Sequence, residues 1–471
     1  MTESLMRHSK FIVCSFVVLA FVSQLSAQTQ LSSDVTEKID KLASETLARS
    51  GVPSASIAVA KDGHIVYVKT YGDAKLEPKT PATTQMRYSI GSISKQFTAA
   101  AIVMLQEQRK LSLNDKVGKY FPDLTRANEV TIRQLLSHTS GYQDYWPQDY
   151  VMKPMLEPTS ARAIMDAWAK KPLDFEPGTK WQYSNTNYVI AGAIVEKVVG
   201  MPFFQFLQQN IFKPLSMTSV MDIDQSRLTE SDPVGYMRFA LAPLRVAPKE
   251  GKGWLFAAGE LAMTAEDLAK WDISIMDRKL MKPEGYDELG TEVLLNNGVG
   301  TNYGLGVNVS MALNRRALSH GGEVSGFVAQ NIVFPDDRAA VVVLTNQDAS
   351  GAAGPIASGI PPLLFATTDP ATPAKLEQAK KIFEGLQQGT IDRSLFTDNA
   401  NGYFNEQALE DFKSSLGPFG KWEGFTQTGQ ALRGGMVYRN YIIRFKDKTI
   451  RAWTYEMPDG KLEQFQVAVA N

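Results

Sequence analysis

Apolar positions recur along this chain with two different periods, and the switches between them divide it. Over residues 34–49, Ile39, Leu42 and Leu47 share one helical face, and Asp34 and Glu37 are spaced as a capping pair. Ser54–Ala60, an Asp62-Gly63 turn and His64–Tyr71 read as a hairpin. After Gly91 the period becomes helical and strongly apolar. Ile93, Phe97, Ala100, Ala101, Met104 and Leu105 lie on one side, and Ala99, Ile102 and Val103 fill much of the other. That spacing predicts a central helix buried all round, opened by Gly91-Ser92 and closed by Arg109-Lys110.

From about Ser112 to Lys282 the pattern is mainly helical, broken by loops such as Glu176-Pro177-Gly178 and Ala247-Pro248-Lys249. Strands return at Gly304–Ser310, Arg316–Ser319, Phe327–Phe334 and Ala339–Thr345, with Pro335-Asp336-Asp337 as a turn between the last two. A helix around Ile356–Phe365 carries Pro361-Pro362, which predicts a break or kink. Strands at both ends of a helical block imply an α/β chain of the α+β type. Its antiparallel sheet is flanked by helices and joined to an all-helical lobe, with a cleft at the junction.

Residues 28–366 would form this main domain. Thr367–Pro373, with two prolines among small polar residues, reads as a linker. Residues 374–471 then form a small α+β accessory domain. Helices are expected around Lys375–Gln388 and Asn405–Leu416, and strands near Val437–Phe445, Thr449–Glu456 and Leu462–Val469.

Composition narrows the function classes. The 471 residues are 44% apolar and 21% charged with a formal net charge of −1, so nothing points to nucleic acid or an anionic surface. Residues 1–27 read as a secretory signal. Arg7 and Lys10 precede an apolar run from Phe11 to Val22, and cleavage is expected near Ala27. The expected location is periplasmic or secreted; membrane contact would follow only if this segment were retained as an anchor. The single cysteine, Cys14, lies inside that run. The mature chain would then lack disulfides, thiol catalysis and thiolate metal sites.

The chemistry starts at Ser92-Ile93-Ser94-Lys95, where the central helix begins. Three residues is just under one turn, so the hydroxyl and the amine share a face. A serine hydroxyl needs a neighbouring base to act as nucleophile, and a desolvated lysine can be that base. Tyr183-Ser184-Asn185 follows a Pro-Gly turn. A loop tyrosine beside a lysine would be held partly as phenolate and shuttle protons, while Asn185 would offer donor and acceptor to a substrate amide. His320-Gly321-Gly322 is expected just after the strand Arg316–Ser319, where glycines allow close approach of a ligand backbone. His138 reads as a helix-terminal hydrogen-bonding residue, and Tyr236, Phe239 and Trp254 as packing or pocket aromatics. The histidines show no metal-ligand spacing, and no cofactor or metal is called for.

These three elements in this order resemble the penicillin-recognising serine hydrolases, the superfamily of class C β-lactamases, DD-peptidases, D-amino-acid amidases and related esterases. Tyr-x-Asn is similar to the class C form and His-x-Gly to a DD-peptidase form. Leu135–Gly141, Ala258-Gly259-Glu260 and Tyr303-Gly304-Leu305-Gly306 are similar phrases. The resemblance covers roughly residues 35–365. It implies Ser92 as acylated nucleophile, Lys95 as its proton acceptor and Tyr183 as proton relay. It further implies that Asn185, His320, Gly321 and Gly322 bind substrate, His320 with positive or hydrogen-bonding character. The backbone N–H groups of Ser92 and Glu323 would form the oxyanion hole.

Many relatives carry a hydroxyl residue where this chain has Gly321, and Glu323 replaces another. Fewer donors for a substrate carboxylate favour ester or D-amino-acid amide and peptide hydrolysis. A class C-like β-lactamase and a penicillin-binding sensor that does not turn over are the alternatives. The partner in each case is a small-molecule or peptide substrate.

Overall fold

The structure, a computed structural model, describes residues 30–365 and 372–470. The expected secretory segment and most of the expected linker lie outside the described residues. The chain divides into two compact units between Phe365 and Ala366.

The first unit begins with helix α1 (Ser33–Ser50), capped by the Ser32 hydroxyl and ended by Gly51 in the left-handed conformation. Then follow strands β1 (Ser54–Lys61), β2 (His64–Leu76) and β3 (Lys79–Pro81). Helices α2 (Ser94–Glu107), α3 (Asn185–Val199) and α4 (Ala265–Asp277) are the long helices of the middle block. The sheet is completed by β4 (Asn308–Ala312), β5 (Arg315–Val324), β6 (Phe327–Phe334) and β7 (Ala339–Thr345). Helices α5 (Ala353–Gly359) and α6 (Pro361–Leu364) close the unit. Pro361 and Pro362 occupy the first turn of α6, where a missing N–H costs nothing, so they start a second short helix.

The seven strands form one antiparallel sheet in the order β3-β2-β1-β7-β6-β5-β4. The pairing of β1 with β7, Ala55 opposite Thr345 through Lys61 opposite Ala339, joins the two ends of the unit. Both strands are apolar on both faces, and strand periodicity sorts their side chains into two layers. Ile57, Val59, Val341 and Val343 pack with Ile39, Ala43 and Ile356 from α1 and α5. Ala58, Ala60, Val342 and Leu344 face the larger core containing α2, α3 and α4. Every residue of α2 from Ser94 to Leu105 is buried, as its all-round apolar pattern requires.

Two strand boundaries differ from expectation. The strand placed at Gly304–Ser310 runs over Asn308–Ala312, and Arg316–Ser319 extends through His320-Gly321-Gly322 to Val324. The glycine pair suggests a turn by composition, yet here it sits inside a strand. Its second member, Gly322, is small because the strand there presses against the backbone of Ile90 and Ser92, just before α2. Since β4 pairs with β5 only as far as Ser319, the outer edge of β5 beyond that point carries no strand neighbour among the described residues.

The second unit packs α7 (Thr372–Gln388) and α8 (Glu406–Leu416) on a four-stranded antiparallel sheet, β8 (Gly424–Arg433) to β11, in sequential order. The remaining strands are β9 (Met436–Arg444), β10 (Thr449–Glu456) and β11 (Leu462–Val469). Helix α7 starts inside the stretch read as linker. Strand β8 was not expected: Phe425 is its one buried side chain, so it lacks the apolar alternation that marks a strand.

Candidate active site

Ser92 sits in a single 3-10 turn, Gly91–Ile93, that leads directly into α2. Gly91 has φ +49°, and a Cβ there would lie 2.7 Å from the Glu323 nitrogen. Across the same contact, a Cβ on Gly322 would fall 1.8 Å from the Ile90 carbonyl oxygen and 3.1 Å from the Ser92 nitrogen. Neither position tolerates a side chain. The two glycines therefore bring the backbone around Ser92 against the backbone around Glu323.

One turn further on, Lys95 is fully buried. Its Nζ lies 2.9 Å from Ser92 Oγ, 2.8 Å from Asn185 Oδ1 and 2.8 Å from the Ala258 carbonyl. Burial pushes the Lys95 amine down to about 7, against the opposing pull of the Asp144 carboxylate. Two of the three neighbours can only accept hydrogen bonds. A neutral amine therefore spends both its N–H groups on Asn185 and Ala258, and its lone pair is left for the Ser92 hydroxyl.

Asn185 opens α3, and its orientation is set by Asp144, which sequence reasoning did not single out. Asp144 accepts from the Asn185 backbone N–H at 3.0 Å and from its Nδ2 at 3.3 Å, so Oδ1 turns towards Lys95. The Trp146 N–H also binds Asp144. Desolvation raises the Asp144 carboxyl against these contacts.

Tyr183 lies over this group, with Lys95 Nζ 5.0 Å from its ring centroid and the Ser92 side chain acting on its hydroxyl. The expected phenolate is not supported. Burial raises Tyr183 well above the ordinary tyrosine range, and Asp144 adds to the shift, so the ring is a neutral phenol. His320 is likewise neutral rather than positive. It is 4% exposed, and burial and nearby Lys95 bring it down to about 4. Its Nδ1–H points at the Gly321 carbonyl, which leaves Nε2 to accept from the Tyr303 hydroxyl at 2.9 Å.

His138, expected only to finish a helix, is a buried support for the site. Its Nδ1 accepts the Ser184 N–H at 3.1 Å, and its ring stacks on Tyr183 at 4.2 Å. A histidine that accepts there must be uncharged, and burial keeps it so.

Ser92, Tyr183, Asn185, His320, Gly321, Gly322 and Glu323 all line one cleft of about 760 Å³, with Lys95 behind Ser92. The aromatic wall is Tyr145, Trp146 and Tyr150 rather than Tyr236, Phe239 or Trp254. Tyr236 is buried and accepts the Leu76 N–H, and Phe239 is exposed away from the cleft. Among the described residues no group of acidic, histidine or cysteine side chains is arranged to hold a metal ion. The arrangement can activate an alcohol, hold a developing oxyanion on backbone N–H groups and present a phenol proton to a leaving group.

Over 319 residues the chain is 28% identical to penicillin-binding protein 4* of Bacillus subtilis, covering 64% of this chain and 70% of that protein. Among solved structures, the octameric penicillin-binding protein homologue from Pyrococcus abyssi superposes with a TM-score of 0.63 at 22% identity, a likeness of fold. It covers 92% of this chain and 99% of its own. A D-stereospecific amidohydrolase from Streptomyces sp. superposes with a TM-score of 0.61 at 26% identity, covering 72% of this chain and 100% of that one. The beta-lactamase family model matches residues 39–358, more than half of the length, and the chain belongs to that family.

Proposed function

We propose that this protein is a serine hydrolase that cleaves ester or amide bonds, of the esterase or D-amino-acid peptidase type, through an acyl-enzyme. Neutral Lys95 takes the proton of Ser92 as Oγ attacks the substrate carbonyl carbon. The resulting oxyanion is held by the N–H groups of Ser92 and Glu323. When the tetrahedral intermediate collapses, the leaving nitrogen or oxygen takes the Tyr183 proton, and the Lys95 ammonium restores it. Water then attacks the ester as its proton passes to neutral Lys95 by way of Tyr183, and collapse breaks the acyl–Oγ bond, that proton going to Ser92 Oγ as the carboxylic acid leaves. Asn185 holds the acyl side of the substrate.

The observation that carries this reading is the Lys95 amine, fully buried and touching two acceptors and one hydroxyl. Preference for esters and amides over β-lactams rests on Gly321, which offers no hydroxyl to a substrate carboxylate, and on Glu323 beside it. The test is turnover of a short-chain aryl ester, a D-alanyl amide and a cephalosporin by the purified chain and by Ser92→Ala. Hydrolysis of the first two, lost in the variant, is expected. Rapid turnover of the cephalosporin alone would overturn the substrate assignment.

A further inference from the structure

The chain as a whole is balanced, with 49 basic and 50 acidic residues, but the cleft is not. Its lining includes Asp144, Asp149, Glu323 and Asp348 and, among the described residues, no lysine or arginine. Asp144 is used by Asn185; the other three are not needed to build the site. They come from two walls. Asp149 belongs to the aromatic loop after Asp144, and Glu323 and Asp348 belong to the sheet side, at β5 and just beyond β7.

Two of these carboxylates are fixed in place. Glu323 Oε1 accepts the Ala349 N–H at 2.6 Å, and Asp348 Oδ2 accepts the Gly326 N–H at 2.9 Å. Each thereby keeps a second oxygen for a ligand. Solvent reaches Glu323, yet partial enclosure by the cleft walls raises it, and the charges of Asp348 and Asp149 raise it further. No basic side chain among the described residues acts on Glu323 or Asp348. The nearest imidazole, His320, is neutral. Like charges facing one space across a cleft, with no internal counter-ion, disfavour an anionic substrate and favour a cationic one.

We infer that this cleft selects acyl donors carrying a protonated primary amine, received between Glu323, Asp348 and Asp149, and rejects donors carrying a carboxylate there. The inference rests on the reading of Ser92 as an acylated nucleophile and adds the charge class of its substrate.

The test uses three p-nitroanilides of D-phenylalanine, whose ring suits the wall of Tyr145, Trp146 and Tyr150. One has a free amine, one is N-acetylated and one is N-succinylated. We expect kcat/KM to fall about tenfold from the free amine to the acetyl compound and about tenfold again to the succinyl compound. In the double variant Asp149→Asn/Asp348→Asn these ratios should shrink towards one. Equal turnover of the three by the unmodified chain, or a proportional loss on all three in the variant, would overturn the inference.

Calorimetry on Ser92→Ala, with D-phenylalaninamide and N-succinyl-D-phenylalaninamide, separates the two readings. Preferential binding of the amine without turnover in the parent chain would sink the hydrolase reading and keep this one. Turnover in the parent chain without that binding preference would do the reverse.

Discussion

The inner and outer parts of the cleft treat charge in opposite ways. Lys95 itself is shut off from solvent, its amine meets three partners, and burial holds it near neutrality. At the mouth, Glu323, Asp348 and Asp149 line one space in which no lysine or arginine appears among the described residues. The contrast teaches that reactivity and selectivity can be separated within one cavity. Burial of one amine alters its proton affinity, whereas a wetter rim with unmatched charge discriminates among ligands.

The sharpest way to break the inner half of this comparison is to remove its chemistry. Ser92→Ala should lower hydrolysis by about 10⁴-fold or more while leaving stability nearly unchanged, because Ser92 is only partly buried. Lys95→Ala should cost nearly as much activity. It should also cost about 2–5 kcal/mol of stability, since it opens a cavity and leaves Asn185 Oδ1 and the Ala258 carbonyl without their donor. Steady-state kinetics and chemical denaturation on both variants check this pair. Near-normal rates for Lys95→Ala would show that the base is elsewhere.

Gly322→Ala should reduce kcat by about 10²-fold, because the new Cβ must push β5 away from Ile90 and Ser92 and so misplace the Glu323 N–H. A crystal structure or a kcat measurement would detect it.

The smallest effect concerns Asp144. Its charge favours the protonated form of Lys95, so Asp144→Asn should move the acidic limb of the kcat/KM profile to lower pH, along with a loss of about tenfold from a less fixed Asn185. The sign follows directly. Only the neutral amine is a base, so activity rises as pH passes the Lys95 value from below, and lowering that value starts the rise earlier. A limb that stays in place would mean that Asp144 does not act on Lys95.

Much of the fold could be read in advance because periodicity reports burial. The all-round apolar pattern of α2 and the two-faced apolar strands β1 and β7 marked the core directly. Strand β8 escaped because an exposed, polar strand has no such pattern. At the site, Ser92, Lys95, Tyr183 and Asn185 stood out as short motifs. Asp144 and His138 did not, because each works by accepting a backbone N–H from a segment more than 40 residues away. The phenolate expected at Tyr183 was misjudged for a related reason, and at His320 the hydrogen-bonding alternative holds rather than the positive one. Composition does not reveal that a half-buried Tyr183 and a buried His320 both lie beside an amine that is itself close to neutral. The glycines of His320-Gly321-Gly322 were recognised, but their place within a strand comes from pairing with Ala329, Gln330 and Asn331 of β6, which a glycine pair does not announce.

The account turns on the proton affinity of one side chain. Lysine labelled with ¹⁵N and followed by NMR through a pH titration, with Lys95 assigned by comparison with Lys95→Ala, reads it directly. A Lys95 Nζ resonance titrating with a midpoint of about 7 is the expected result. A midpoint at or above about 10, the range of a solvated lysine, would contradict it.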